Sequence, residues 1–339
     1  MEKLFNELRT DYVQNYTLSK APFDIPVLPK AQCIVIPLIR EVVAPIVVRN
    51  NDSDTITGMV FDKHTHARMI ASKTKSVERR RGAQILRALT LGGATAANKA
   101  YIPEGMKPSD VFDLNTFVFG DAANSKSNVY PVHSAVLYSD AISILPLARI
   151  QDDVFRTGGI AEDGGNYDTE TKKSSNNIFI TRSVYPGTLF VQSLVLLGNR
   201  ITQATLNHLL LSIGLSGSYG GTTATTGTNI RTRVAGIFWG SFERDINAPS
   251  QMLKLFEQKK AHSLQEAITI LSNKFGTCYP HSINDKEVNT HIEKLIHNFE
   301  SNQTELITEY RDAATEIIKL FDNWFSTKAN ETKTKKNTK

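Results

Sequence analysis

The chain has 339 residues, 40% of them hydrophobic, so it can bury the core of one large domain with an appendage, or of two domains. Its apolar runs fall short of the roughly 20 residues that span a bilayer, and its first residues are charged where a signal peptide is apolar. These features exclude a membrane protein and predict a cytoplasmic location. The two cysteines, Cys33 and Cys278, lie far apart without a C-x-x-C motif, which predicts neither a disulfide framework nor a cysteine zinc site.

Positive charge is concentrated in one stretch, residues 63–87. The whole chain carries a net charge of +5, whereas this stretch alone carries +7, because Glu78 is its single acidic residue. Its eight basic residues are Lys63, Arg68, Lys73, Lys75, Arg79, Arg80, Arg81 and Arg87. An ordinary surface mixes the two signs, so this stripe indicates contact with the phosphate backbone of a nucleic acid. The alternative is a solvated helix face.

The residues around this stretch predict a strand followed by a helix. Residues 33–49 are dense in β-branched residues and predict one or two strands, with the prolines at edges or bulges. Ser76 has the character of an N-cap and predicts a helix over 76–91. Lys73 and Lys75 then lie in an extended segment before the cap, where side chains two residues apart point the same way.

The middle of the chain predicts two insertions. Residues 94–131 predict an insertion of helix and loop, and 115–122 within them have strand character. Residues 147–155 and 178–184 are extended in character and flank a stretch rich in Gly, Asp and Asn. This pattern predicts a long β-hairpin, an arm over 145–183 that projects from the body.

The later elements complete an α+β order. A strand pair over 178–197, a helix over 202–214 and a strand over 228–242 follow the arm. With the first strand and helix they give the order β-α-β-β-α-β, which is the split βαβ plan of ferredoxin-like and RNA-recognition folds. The sequence therefore predicts a modified palm of this kind over 1–247, interrupted by the two insertions.

The C-terminal part of the sequence has a helical pattern. Apolar residues recur at helical spacing from Ser250 onward, which predicts a helical C-terminal region over 248–325. The last residues, 326–339, are polar and basic, which predicts a disordered tail.

Several short motifs, in their order and spacing, resemble those of one protein family. They are RMIASKTKSVERRRGAQILRAL, FGDAANSKSNVYPVHSAVLYSD, TRSVYPGTLFVQSLVLLG and, after a helix, a Gly/Thr-rich loop that ends in NIRTRVAGIFWG. In this combination the chain is similar, over roughly residues 30–247, to the backbone subunit of type I-D CRISPR interference complexes. That subunit belongs to the Cas7 group of the RAMP superfamily.

The resemblance implies a palm with a protruding hairpin, the thumb, and copies that polymerise along a CRISPR RNA and present it for pairing with target DNA. The implied partners are CRISPR RNA, target DNA, other copies of the chain and other subunits of the effector complex. The basic stretch would hold guide phosphates, and Lys73, Lys75, Arg79 and Arg80 are expected to matter most. The second wall of the guide channel would be formed by Ser216, Ser218, Thr222, Thr223, Thr225, Thr226, Arg231 and Arg233. Relatives can carry a cysteine metal knuckle in the first insertion, but residues 94–131 contain no Cys, so neither a metal nor another cofactor is expected.

The leading hypothesis is a non-catalytic guide-RNA-binding subunit that repeats as a helical filament in an antiviral complex. Two other functions stay open. Asp62, His64 and His66 alternate, so in an extended segment they would face one side and could bind a divalent metal or cleave a strand. The first alternative is therefore a metal-dependent nuclease of the same superfamily that uses Asp62, Asp52 or Asp54. The second is an ordinary RNA-binding module.

Overall fold

The computed structural model describes residues 31–50, 55–92, 112–125, 128–157, 167–170, 172–174, 178–198, 201–220, 227–258 and 263–336, without the side chains of 122–131, 156–157, 168, 178–179 and 322–336. The strands are β1 Cys33–Val42, β2 Gly58–Phe61, β3 His64–Met69, β4 Asp121–Ser125, β5 Asn128–Val132, β6 Val136–Tyr138, β7 Ala141–Pro146, β8 Gln151–Thr157, β9 Tyr167–Asp168, β10 Lys173–Ser174, β11 Ile178–Val184, β12 Leu189–Leu197, β13 Ile230–Val234, β14 Gly236–Gly240 and β15 His281–Asn284. The helices are α1 Ala71–Ala88, α2 Leu114–Phe119, α3 Gln203–Gly214, α4 Pro249–Gln258, α5 Leu264–Cys278, α6 Asp285–Glu300 and α7 Thr304–Lys336.

A nine-stranded antiparallel sheet forms the centre of the molecule, and the predicted mixed α+β class is confirmed. The strand order is β15-β14-β1-β12-β7-β3-β2, with β13 also paired to β1 and β6 also paired to β12. Strand β1 is almost entirely buried, because its run CIVIPLIREV is apolar on both faces. Pro37 lies inside β1 and its carbonyl accepts from the Ala235 N–H at 2.9 Å, at the break between β13 and β14. The N–H that Pro37 lacks would point to this break, where the hydrogen-bond ladder is interrupted. A central strand therefore tolerates the residue.

Helices cover both faces of the sheet. Ile34, Ile36 and Leu38 of β1 belong to a core shared with α1, α2, α3, α6 and α7. Cys33 and Val35, which alternate with them, belong to a core shared with α4 and α5. The C-terminal helices thus complete the same core as the strands of the first half, and β15, which the sequence did not predict, pairs with β14 in the same sheet.

The predicted arm is a hairpin. Strands β8 and β11 pair antiparallel from Gln151 opposite Val184 to Thr157 opposite Ile178. They form a two-stranded sheet of their own, and an isolated bridge between Ile46 and Val184 joins its base to the body.

The segments 115–122 and 326–336 differ from the sequence-based prediction. The strand predicted over 115–122 is wrong for 115–119, which lie in helix α2, because the Asp113 carboxylate caps its start by accepting from the Thr116 N–H at 2.9 Å; residues 121–122 lie in strand β4. Residues 326–336, for which the sequence predicts disorder, belong to α7, which runs to Lys336. That segment contains neither Gly nor Pro, so its polar composition is compatible with a helix. Residues 337–339 lie outside the described part.

A buried polar cluster joins four helices around Gly82 of α1. A Cβ at Gly82 would lie 2.2 Å from Asn115 Oδ1 and 2.8 Å from His208 Nε2, so only glycine permits this approach. His208 is fully buried, with Nε2 3.0 Å from Asn115 Oδ1 and Nδ1 3.3 Å from the Tyr310 hydroxyl. Burial lowers the pKa of His208 to about 4. The imidazole is therefore neutral at pH 7.

We expect stability to fall as the pH drops from about 6.5 to about 4, because the unfolded chain binds a proton at His208 that the folded chain does not. The full loss is about 3 kcal/mol for this residue. Urea unfolding at several pH values should show that His208→Gln reduces this loss. His297→Gln, at an exposed position of α6, is the control and should leave the curve unchanged. Equal curves for His208→Gln and the parent protein would contradict the assignment.

Candidate nucleic-acid interface

Helix α1 carries most of the basic stretch, and it begins earlier than the sequence predicted. The N-cap at Ser76 is wrong: the helix starts at Ala71, and the Ile70 side chain makes no capping bond. The cap comes from another element, because the Asp140 carboxylate accepts from the Ala71 N–H at 2.8 Å. The same carboxylate forms an ion pair with Arg68 at 2.5 Å. A cap supplied from 69 residues away leaves no local signal in the sequence.

The earlier start places Lys73 and Lys75 on different sides of the helix, which corrects the prediction of an extended segment. Two residues correspond to a rotation of about 200° in an α-helix. Lys73 is exposed, and its ammonium donates to the backbone carbonyl of Arg49. Lys75 turns inward, and its ammonium donates to Ser134 Oγ at 2.7 Å. Burial, with a smaller contribution from Arg79, lowers the pKa of Lys75 to about 8.

Lys73, Arg80 and Arg87 form a line along the exposed side of α1, which we call the outer stripe. They are seven residues apart, so each follows the last by about 10.5 Å along the axis and only about 20° around it. All three are exposed. Within the described part of the chain, Arg80 and Arg87 have no ion-pair partner. The outer stripe is thus a row of cations open to a ligand.

The other predicted basic residues of this stretch are placed differently. Arg79 forms an ion pair with Asp121 at 2.6 Å on one flank of α1. Arg81 donates to Gln84 Oε1 at 2.9 Å, and Lys63 lies exposed in the turn between β2 and β3. Arg68 and Arg79 are therefore partly neutralised within the chain.

Glu78, the single acid of the basic stretch, does not lie on the surface. Its side chain is fully buried and forms an ion pair with the fully buried Arg40 of β1 at 2.7 Å. Burial, the largest single effect, disfavours the charged guanidinium, but Glu78, Tyr219 and Tyr138 together outweigh it and raise the pKa of Arg40 above its ordinary value. Because Arg40 neutralises Glu78 inside the fold, Glu78 places no negative charge on the exposed side of α1.

Four polar side chains complete the buried site around this pair, which we call the Arg40–Glu78 cluster. Tyr219 donates from its hydroxyl to Glu78 Oε1 at 2.7 Å, and Tyr138 donates to Glu78 Oε2 at 2.5 Å. Arg40 donates to Gln192 Oε1 at 2.5 Å and to the Tyr219 hydroxyl at 2.8 Å. Thr232 Oγ1 accepts from Arg40 at 3.1 Å. Burial, followed by the Glu78 charge, raises the pKa of Tyr138.

Sequence reasoning missed Arg40 and Tyr219. A signal was present, because an arginine inside the apolar run CIVIPLIREV needs a buried partner. The partner itself could not be identified, because Glu78 and Tyr219 are brought to Arg40 only by the packing of α1 and the loop after α3 on the sheet.

The residues predicted for the second wall of the channel do not all share one surface. Ser216 is buried, and its hydroxyl donates to the Ser212 carbonyl at 2.7 Å, whereas Ser218 is exposed. Arg231 contacts Glu41 at 2.6 Å, and Arg233 lies 3.7 Å from Glu293. The predicted Thr222, Thr223, Thr225 and Thr226 lie outside the described residues.

The candidate metal or nuclease residues are only partly brought together. His64 and His66 both line a cavity of about 660 Å³ between β3, β7 and α4. His66 is buried and its Nδ1–H donates to the Ser143 carbonyl at 2.8 Å, while Asp62 lies in the β2–β3 turn with a φ of 49°. Asp52 and Asp54 lie outside the described residues. Among the described residues, no three His, Cys, Asp or Glu side chains form a group that could hold a metal ion.

No helix in the described residues is long and apolar enough to span a bilayer.

The fold and the sequence were compared with those of known proteins. The crystal structure of Csc2 from Thermofilum pendens is similar, with a TM-score of 0.58 and 13% identity over 89% of this chain and 91% of that chain. A chain of a pre-nicking CRISPR RNA-guided surveillance complex matches with a TM-score of 0.46 and 13% identity over 74% of this chain and 90% of that one.

No curated protein matches the sequence. The sequence model of the Csc2 CRISPR family, however, matches residues 22–337, which is nearly the whole chain. The chain therefore belongs to the Csc2 CRISPR family.

Proposed function

We propose that this chain is a guide-RNA-binding backbone subunit of a type I-D CRISPR interference complex, which polymerises along the guide and presents it for pairing with target DNA. The observation that carries the proposal is the outer stripe. Lys73, Arg80 and Arg87 form an exposed row of cations, and the neighbouring acid, Glu78, is withdrawn into the core. Such a row binds a phosphate backbone without reading its sequence, which suits a subunit whose guide does the reading.

The strand order supports the palm and thumb of this proposal. Strand β1 lies between β12 on one side and β13 and β14 on the other, and β6 and β7 pair with the far side of β12. With α1 and α3 as the crossing helices, this strand order is compatible with the RNA-recognition palm that we propose. The β8–β11 hairpin is the proposed thumb. Contact of the thumb of one copy with the body of the next would be a heterologous interface, which extends openly into a filament.

Assembly on RNA tests this function. The purified chain is mixed with an RNA that carries a CRISPR repeat and spacer, and with a scrambled RNA of equal length, and the particles are measured by electron microscopy and light scattering. We expect filaments whose length follows the length of the repeat-containing RNA. A protein that stays monomeric and binds both RNAs equally would instead be an ordinary RNA-binding module. Cleavage of single strands that requires Mg²⁺ and is lost in Asp62→Ala would establish a nuclease.

A further inference from the structure

We infer that Tyr219 is a positioning residue for guide binding: through Glu78 it fixes the base of the Gly/Thr-rich loop beside the basic helix. This inference rests on the proposed function and adds to it a residue that makes no contact with RNA. Tyr219 is 2% exposed, so its side chain is part of the core although it belongs to a loop.

The loop base is closed by a set of bonds centred on Asn229. The Tyr219 N–H donates to Asn229 Oδ1 at 2.9 Å, and Asn229 Nδ2 donates back to the Tyr219 carbonyl at 2.7 Å. The N–H groups of Asn229 and Ile230 both donate to the Gly217 carbonyl, at 2.8 and 3.0 Å. These bonds make residues 217–220 and 227–230 one closed unit. The Asn229 carbonyl accepts from the Val43 N–H at 2.9 Å and Ile230 pairs with β1, so the unit is bonded to the sheet, but none of these bonds connects it to α1.

The hydroxyl of Tyr219 makes that connection. It donates to Glu78 of α1 at 2.7 Å and accepts from Arg40 of β1 at 2.8 Å, so it joins the loop base to the helix and the sheet. Tyr219 also belongs to a buried apolar cluster. Val77, the neighbour of Glu78 on α1, packs against this cluster. The exposed Ser218 is the chain neighbour of this buried tyrosine.

Tyr138 provides a matched control for the hydroxyl of Tyr219. Both tyrosines donate to Glu78, one to each carboxylate oxygen. Tyr138, however, belongs to β6, which pairs with β12 and is not part of the loop base. Loss of either hydroxyl removes one hydrogen bond to the same carboxylate, and loss of the Tyr219 hydroxyl also removes the bond from Arg40, so Tyr219→Phe should cost more stability than Tyr138→Phe. Only the loss at Tyr219 also frees the loop base from α1.

The test compares Tyr219→Phe with Tyr138→Phe in three measurements. We expect Tyr219→Phe to weaken the binding of CRISPR RNA roughly tenfold, since it removes a hydrogen bond to a buried carboxylate. The slope of log K against log salt should not change, because no phosphate contact is removed. Exchange of the Asn229 and Ile230 amide hydrogens should become faster. Tyr138→Phe should also lower the thermal midpoint, by less than Tyr219→Phe, with unchanged affinity and unchanged exchange at these amides.

Equal losses of affinity in the two variants would overturn the inference, because they would show a general effect of the buried cluster. Unchanged affinity in Tyr219→Phe would also overturn it. Failure of the unmodified protein to bind CRISPR RNA would contradict the proposed function instead. In that case the exchange comparison still decides whether Tyr219 holds the loop base to α1: faster exchange in Tyr219→Phe alone supports this, and equal exchange contradicts it.

Discussion

Replacement of Lys73, Arg80 and Arg87 together by glutamate should lower the affinity for guide RNA by at least about 100-fold near physiological salt. The three side chains form the outer stripe, and the described part of α1 offers no acidic partner to Arg80 or Arg87. Each phosphate contact that is lost reduces the dependence of log K on log salt by about 0.7 for a single strand. The slope should therefore decrease by about 2. Filter binding or fluorescence anisotropy between 50 and about 300 mM salt measures both quantities.

A control variant, in which three other lysines are replaced, distinguishes an effect of charge position from an effect of total charge. We call it the control triple. Lys286, Lys294 and Lys319 are exposed on α6 and α7, far along the chain from α1. Their replacement by glutamate changes the net charge of the protein by the same amount as the first triple. We expect the control triple to keep most of the affinity and nearly all of the salt slope. Equal losses in the two triples would show that binding follows the overall charge, and the outer stripe would not be the interface.

The sequence alone favoured Lys73, Lys75, Arg79 and Arg80 as the principal guide contacts. Those choices stay predictions, but the structure gives them unequal support. The ammonium of Lys75 is turned toward Ser134 and Arg79 is paired with Asp121, so phosphate would have to compete with partners that are already present. Arg87, two turns beyond Arg80, has no such competitor among the described residues.

The parts of the fold that the sequence predicted are those with a local cause. The β-branched run of β1, the extended segments of the β8–β11 hairpin and the apolar periodicity of the C-terminal helices were readable, because each pattern lies within its own element. The start of α1 was not, because its cap is the distant Asp140. The polar residues of the C-terminal tail likewise did not reveal that α7 continues to Lys336.

The candidate site shows the same division between local and distant causes. The excess of positive charge was visible in the sequence, as was the position of Glu78 among the arginines. The direction in which Glu78 points depends on Arg40, a residue 38 positions earlier that reaches it only through the packing of α1 on the sheet. Identification of a buried pair therefore requires the tertiary structure, and here it changes the functional interpretation, because it removes the single acid from the proposed interface.

The Arg40–Glu78 pair should dominate the stability of this part of the fold. We expect Arg40→Met and Glu78→Gln each to reduce the free energy of unfolding by about 3–5 kcal/mol, because each leaves a charge buried without its partner. The double variant carries no buried charge at this site, so it should lie within about 2 kcal/mol of the parent. Urea unfolding of the four proteins measures the coupling. Arg231→Met, which breaks the exposed pair with Glu41, is the control and should cost at most about 1 kcal/mol.

The sign of the pH dependence distinguishes a buried charge from a simple loss of packing. In Arg40→Met the carboxyl of Glu78 stays buried without a counter-charge, so its pKa in the folded variant rises above the unfolded value of about 4.3. The folded variant then binds a proton that the unfolded chain releases, and its stability relative to the parent improves as the pH falls from 7 toward 5. A lost packing contact would give a deficit that does not change with pH. A constant deficit, or one no larger than that of Arg231→Met, would contradict the assignment of Glu78 as a buried charge held by Arg40.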